Sequence, residues 1–203
     1  MKKSIKPLPI PWIEENDALP DAKNALKAES HLAGLVAAGG GLSVKRLIEA
    51  YSNGMFPWYS EGQPVLWWSP DPRMVLPIDE FKLQRSLRKT LIKFLKNPNC
   101  EVKFDSAFNE VIQNCSYAMR PGQNGTWIVQ DMIEAYQALH SKGLAHSVET
   151  WIDGELVGGL YCVSIGKTIF GESMFSKRSD ASKISLAALV AFAKANNVKL
   201  IDC

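Results

Sequence analysis

Four cysteines in 203 residues, Cys100, Cys115, Cys162 and Cys203, are too scattered to build a disulfide framework, and no two of them form a CxxC pair. The three histidines, His31, His140 and His146, stand at no zinc-like spacing from them. Reduced thiols and no metal are expected. No apolar run is long enough to cross a bilayer, and the start "MKKSIKPLPIPW" follows its positive charge with prolines in place of an apolar segment. The chain is expected in the cytoplasm, with no membrane partner. Net charge is also scarce: 23 Lys and Arg against 21 Asp and Glu leave +2, so a nucleic-acid partner requires a local basic patch. Internal repeats and low-complexity segments are absent. What remains, 46% hydrophobic and 22% charged, describes a globular chain of one domain, or one domain and a small module.

Proline and tryptophan are plentiful in one place. The stretch "GMFPWYSEGQPVLWWSPDPR", residues 54–73, sets Trp58, Tyr59, Trp67 and Trp68 among four prolines. Proline fixes φ, withholds a donor and restricts the residue before it, so this segment is read as turns and short extended pieces. Its aromatics are either the lid of a core or a platform for something flat, such as a nucleobase. Trp67 and Trp68, adjacent in a strand, point to opposite faces, so at least one is structural.

The chain changes character near Pro77, which gives a small N-terminal domain over residues 1–77 and a larger one over 78–203. The first holds one short helix, "LSVKRLIEAYSNG", with Ser43 as N-cap and Gly54 past its end. The second begins with a helix from about Asp79 to Lys96, then a strand "EVKF" and helices around "AFNEVIQNC" and "QDMIEAYQALHSKG". Period-two patterning from Ala145 to Ser176 reads as three antiparallel strands, and a helix "DASKISLAALVAFAKANN" and a strand "KLIDC" follow. This order predicts an α+β fold.

Two constellations carry candidate chemistry. Lys82, Arg85, Arg88, Lys89, Lys93 and Lys96 form a basic stripe with no acid between Phe81 and Cys100, while Leu83, Leu87, Leu91, Phe94 and Leu95 are assigned to the opposite, core-facing side. The stripe is either a solvated face or a track for the phosphates of a nucleic acid. In "GGLYCVSIGKTIFGESMFS", Gly158 and Gly159 mark a bulge or a close backbone approach. Glu172 is there either a surface residue or a ligand to a cationic or hydroxyl-bearing substrate.

The motifs "FPWYSEGQPVLWWSPDPR", "GTWI", "AHSVE", "ELVGGLY", "GESMFS", "ASK" and "KLIDC", in this order from about Gly39 to the last residue, resemble the leucyl/phenylalanyl-tRNA–protein transferase family. The resemblance implies an aminoacyltransferase that moves leucine or phenylalanine, and in some cases methionine, from aminoacyl-tRNA to proteins beginning with Arg or Lys, marking them for degradation. It implies a small N-terminal domain beside a GCN5-related acetyltransferase-like domain, acting as a monomer without cofactor or metal. Trp58 and Trp127 match residues at the aminoacyl-adenosine site, with Glu172 of "GESMFS" beside them, and Leu160, Met174, Leu186, Leu189 and Ile201 match the lining of the amino-acid pocket. Where many relatives carry bulky aromatics on the helix after "ASK", this chain has Leu189 and Ala193.

The implied reaction is aminolysis of an activated ester. Proximity supplies much of its rate, and what remains is to take a proton from the amine and to stabilise the oxyanion. Asp202 matches the family's catalytic acid. The family's next functional residue is a glutamine one place beyond Cys203, followed by a further segment, so the catalytic domain reads as lacking its C-terminal end and as transferring poorly. Two other readings stay in view. An acyl-CoA-dependent amine acyltransferase needs a Gly-rich turn into a helix, and "MFSKRSDASK" has no glycine. A catalytically impaired tRNA-binding module would keep the basic stripe without the transfer.

Overall fold

Prolines 57, 64, 70 and 72 hold the first part of the chain to short extended pieces. In the computed structural model, which describes residues 10–118 and 128–203, these pieces belong to one compact unit, Met1–Arg73; Met74–Cys203 forms a second.

The first unit has strands β1 (Trp12–Ile13) and β2 (Leu35–Gly39), helix α1 (Val44–Ser52), and strands β3 (Phe56–Pro57) and β4 (Leu66–Trp68). The strands lie in the order β1-β2-β4-β3, with β1 parallel to β2 and the other pairs antiparallel. Ser43 caps α1 by accepting the Arg46 N–H at 3.2 Å, and Gly54 follows the helix at φ 71°, where a side chain is disfavoured. Leu47, Ala50 and Tyr51 bury the inner face of α1. The buried Arg46 pairs with Glu49 at 2.8 Å and donates to the Glu15 carbonyl at 2.9 Å, tying the segment after β1 to the helix.

The second unit opens with β5 (Val75–Pro77), a 3₁₀ turn (Ile78–Glu80), α2 (Arg85–Lys96) and β6 (Cys100–Phe104). Helices α3 (Phe108–Tyr117) and α4 (Gln130–Ser141) follow, then β7 (Ala145–Ile152), β8 (Glu155–Ile165) and β9 (Thr168–Ser176), and finally α5 (Ala181–Ala195) and β10 (Leu200–Asp202). The sheet order is β5-β10-β9-β8-β7-β6. All neighbours are antiparallel except β9 and β10, which α5 connects as a crossover. The fold is mixed α and β, with five α-helices and two mixed sheets among the described residues. Val148, Leu160, Cys162, Ile169, Leu189, Val190, Ala193 and Ile201 form a core between the sheet and α5.

Two contacts set the framework. A Cβ at Gly158 would stand 2.5 Å from the Ala181 Cβ and 2.9 Å from the Ser182 nitrogen, so the first turn of α5 rests on bare β8 backbone. The same segment carries a bulge, because Gly158 pairs with Thr150 while Leu156 pairs with Trp151. Glu149, 0% exposed, accepts the Ser106 and Ala107 N–H groups at 3.2 Å each and the hydroxyls of Ser106 and Ser147 at 2.6 Å each. A buried carboxylate with four donors at the start of α3 satisfies both itself and the helix end, where Ala107 offers no side-chain cap.

The helix expected from Asp79 begins at Arg85. Pro77 and Phe81 are both extended, and Phe81 is spent packing on the core, so only a 3₁₀ turn forms between them. Lys82 therefore precedes the helix. Leu87, Leu91 and Phe94 do turn inward, but Leu83 is 43% and Leu95 is 79% exposed. Leu83 lies before the helix, and Leu95 sits one step off the inward stripe. The change of character expected at Pro77 falls slightly earlier, since β5 pairs with β10 and so belongs to the second sheet.

Candidate functional site

In the second unit a cavity of about 410 Å³ opens beside β9, within the size range of small-molecule sites. Its apolar wall is assembled from five elements: Leu76 of β5, Leu160 of β8, Met174 of β9, Leu186 and Leu189 of α5, and Ile201 of β10. Leu160, Leu189 and Ile201 are buried core residues that present one surface to the cavity, whereas Met174 stands 42% exposed at its open side. Beside it, at Gly171, an added Cβ would make ordinary contact with β10, 3.4 Å from the Asp202 carbonyl oxygen and 3.5 Å from Ile201 Cγ2. All five residues matched to the amino-acid pocket thus line one cavity.

Glu172 is the one charged side chain on that lining. Tyr161 pairs with Ser173 and Cys162 with Gly171, which leaves Glu172 as the extra residue of a β-bulge. A bulge re-aims a side chain that regular alternation would otherwise place by parity. The Tyr136 hydroxyl of α4 donates to Glu172 Oε2 at 3.0 Å. Tyr136 is fully buried and meets Tyr161 edge to face, with ring centroids 5.4 Å apart. Behind the cavity lies Cys162, whose thiol is pushed up to about 12, first by burial and then by the negative charges of Glu172 and Asp105. It is a core residue with no nucleophilic character.

Asp202 lies on β10 between Val75 and Phe170 and is 9% exposed. It is not itself on the lining, although its neighbours Ile201 and Cys203 both are. Burial and the charge of Asp202 raise the Cys203 thiol, in that order.

In the first unit, the tryptophans of the proline-framed loop divide as the strand geometry dictates. Trp67 is fully buried, and its indole N–H donates to the Gly39 carbonyl at 2.9 Å. Trp68 donates to the Trp58 carbonyl at 2.7 Å and meets the Trp58 ring edge-on at 5.7 Å. Trp58 itself is 45% exposed on a backbone anchored by its N–H to the Leu66 carbonyl at 3.0 Å. Trp127 lies outside the described residues. On α2, Arg85, Arg88, Lys89, Lys93 and Lys96 are all exposed, as is Lys82 before it.

Sequence reasoning missed Tyr136, Leu76 and Tyr161. Tyr136 had a signal: it shares a helical stripe with Met132 and Leu139, and a tyrosine at a core position needs a partner for its hydroxyl. Among the described residues no group of three or more His, Cys, Asp or Glu is placed to hold a metal ion, and no helix is long and apolar enough to cross a membrane.

Residues 75–203 match the model of the leucyl/phenylalanyl-tRNA protein transferase family, and residues 40–71 match the model of its N-terminal domain. A leucyl/phenylalanyl-tRNA–protein transferase of a Polaromonas species is 58% identical over 97% of this chain and 77% of its own length. Another, of Methylibium petroleiphilum, is 60% identical over 95% of this chain and 73% of its own length. The solved structure of L-PGS from Bacillus licheniformis aligns with 64% of this chain and 45% of that chain at 12% identity, with a TM-score of 0.46. The chain belongs to the leucyl/phenylalanyl-tRNA protein transferase family.

Proposed function

We propose that this chain is an aminoacyltransferase that moves leucine or phenylalanine, and also methionine, from aminoacyl-tRNA to proteins with an N-terminal Arg or Lys, marking them for degradation. The observation that carries the reading is the cavity: an apolar wall of Leu160, Met174, Leu186, Leu189 and Ile201, with one charged side chain, Glu172, on its lining. Such a wall suits a flexible apolar side chain joined to a polar, charged centre. The second unit is read as GCN5-related acetyltransferase-like, supported by its mixed sheet with one parallel pair, β9 and β10, joined through α5.

In the proposed reaction the acceptor's α-amino nitrogen bonds to the aminoacyl carbonyl carbon, the ester C–O bond breaks, and the terminal ribose hydroxyl leaves carrying a proton. Holding the two substrates together lowers much of the barrier. Asp202 is assigned to polarising the amine, from a strand that also supplies Ile201 to the pocket wall. Trp58 and Trp127 are assigned to the terminal adenosine; the exposure of Trp58 on an anchored loop supports its part. The basic residues of α2, with Lys82, are assigned to the tRNA backbone. An acyl-CoA donor fits less well. The start of α5 would have to face a pyrophosphate, yet Ser182 N–H donates to Ser176 Oγ at 3.3 Å and the Asp180 carboxylate stands there, paired with Lys183 at 2.8 Å.

The test offers the chain labelled Phe-tRNA or acetyl-CoA, with peptides beginning with Arg, Lys or Ala. Transfer from Phe-tRNA to the Arg and Lys peptides alone is expected. Acetyl transfer, or equal labelling of the Ala peptide, would contradict the reading.

A further inference from the structure

Met174 combines two properties that no other methionine among the described residues shares: its side chain reaches solvent, and it lines the cavity. Met55 and Met132 are buried. Met74 is 71% exposed but stands off the lining, whereas Met174 is 42% exposed on it and pairs across the sheet with Leu160 of the same wall. A thioether is apolar enough for an aliphatic wall, and it is also the group that two-electron oxidants convert to a polar sulfoxide. Leu160, Leu186, Leu189 and Ile201 carry no side-chain donor for that new oxygen. A sulfoxide at this position either sets an unpaired acceptor against the wall or swings into water and takes its methyl group off the wall. Cys203 is the other oxidisable group on the lining. Its thiol is pushed up, first by burial and then by the charge of Asp202, so little of it is the thiolate that peroxides attack.

We infer that Met174 is a redox modification site: its oxidation to the sulfoxide by a peroxide closes the cavity to the donor's side chain, and reduction reopens it. The inference rests on the donor reading of the cavity given above. In the forward step the thioether sulfur attacks one oxygen of hydrogen peroxide and the O–O bond breaks. The sulfur keeps that oxygen and is oxidised; the peroxide takes two electrons and leaves as water. In the reverse step two thiols of a methionine sulfoxide reductase supply two electrons, become a disulfide and release the oxygen as water. Donor binding thus falls as peroxide rises and returns when thiols recover. The fold survives the change, because the core methionines Met55 and Met132 are out of the oxidant's reach.

The experiment measures the affinity of the full chain for a non-hydrolysable phenylalanyl-adenosine amide before and after hydrogen peroxide, with sulfoxide at each methionine counted by peptide mass spectrometry. Each protein is compared with itself, corrected for its folded fraction, and all carry Cys203→Ser so that the thiol plays no part. The chain with Met174 intact is expected to lose about 10-fold or more in affinity, in step with the sulfoxide at Met174, and to regain it on treatment with the reductase and a thiol. Met174→Leu, which keeps an aliphatic side chain of similar volume, should show the same affinity before and after peroxide. Met74→Leu should lose as much as the parent. Without any oxidant, Met174→Gln should bind the analogue about 10-fold or more weaker than Met174→Leu does. An equal loss in Met174→Leu, or full oxidation of Met174 with affinity unchanged, overturns the inference while leaving the donor site standing. Failure of the untreated chain to bind the analogue overturns the donor reading and the inference with it.

Discussion

Trp58 and Trp67 stand nine residues apart in one proline-rich segment and have opposite fates, 45% exposed against fully buried. The prolines made it legible that the segment is a rigid loop, and strand alternation made it legible that one of Trp67 and Trp68 turns inward. Which tryptophan stays outside depends on the pairing of β4 with β2 and β3, which no local pattern records. Trp58→Ala is expected to cost about 1–3 kcal/mol in binding an aminoacyl-adenosine analogue with little change in Tm, read by calorimetric titration beside a melting curve. Glu149→Gln should do the reverse. It places an amide among four donors and is expected to cost about 1.5–3 kcal/mol of stability in urea unfolding. Cys162 gives a pH prediction. Its thiol is raised from 9.0 to about 12, so the folded state holds it neutral where the unfolded chain ionises. The stability this contributes is complete below pH 9 and is lost as pH climbs from 9 through about 12. At pH 8 a thiol reagent should label the exposed Cys203 and spare the buried Cys115 and Cys162 until the chain unfolds.

At the scale of elements, α5 shows how a glycine fixes a helix. Period and composition predicted α5 well, and the paired glycines of β8 predicted a close approach, but only the fold shows that the partner at Gly158 is the first turn of α5. Gly158→Ala drives a methyl into that turn and is expected to cost about 1–3 kcal/mol, while shifting Leu186 and Leu189 and weakening donor-analogue binding per folded molecule. The start of α2 was misread because its charge pattern continues smoothly through Lys82, whereas the break is set by Phe81 leaving the helical path to pack on the core. For this helix, Lys89→Ala with Lys93→Ala should flatten the dependence of tRNA affinity on log salt by about 0.7–0.9 per lost phosphate contact. An unchanged slope in a filter-binding titration would leave α2 as a solvated face.

Across the whole second unit, the cavity is a product of topology. Leu76, Leu160, Met174, Leu186, Leu189 and Ile201 span 126 positions of sequence, from β5 to β10, and meet because the sheet order places β10 between β5 and β9 with α5 laid across. Each of them taken singly reads as ordinary core, so composition and periodicity could not assemble the wall, whereas the motifs of the family resemblance named five of the six. The bulge at Glu172 was equally out of reach, since it is defined by the register between β8 and β9. The central claim is that this wall, to which α5 contributes Leu186 and Leu189, holds the donor's amino-acid side chain. It is tested most directly by the affinities of phenylalanyl-, leucyl- and valyl-adenosine amides measured side by side on the intact chain. Phenylalanyl and leucyl forms, both unbranched at Cβ, should bind well and the valyl form about 10-fold or more weaker, a difference that filling the wall with Leu186→Trp removes by weakening the first two. Equal affinity for all three analogues, unaffected by Leu186→Trp, would contradict the account.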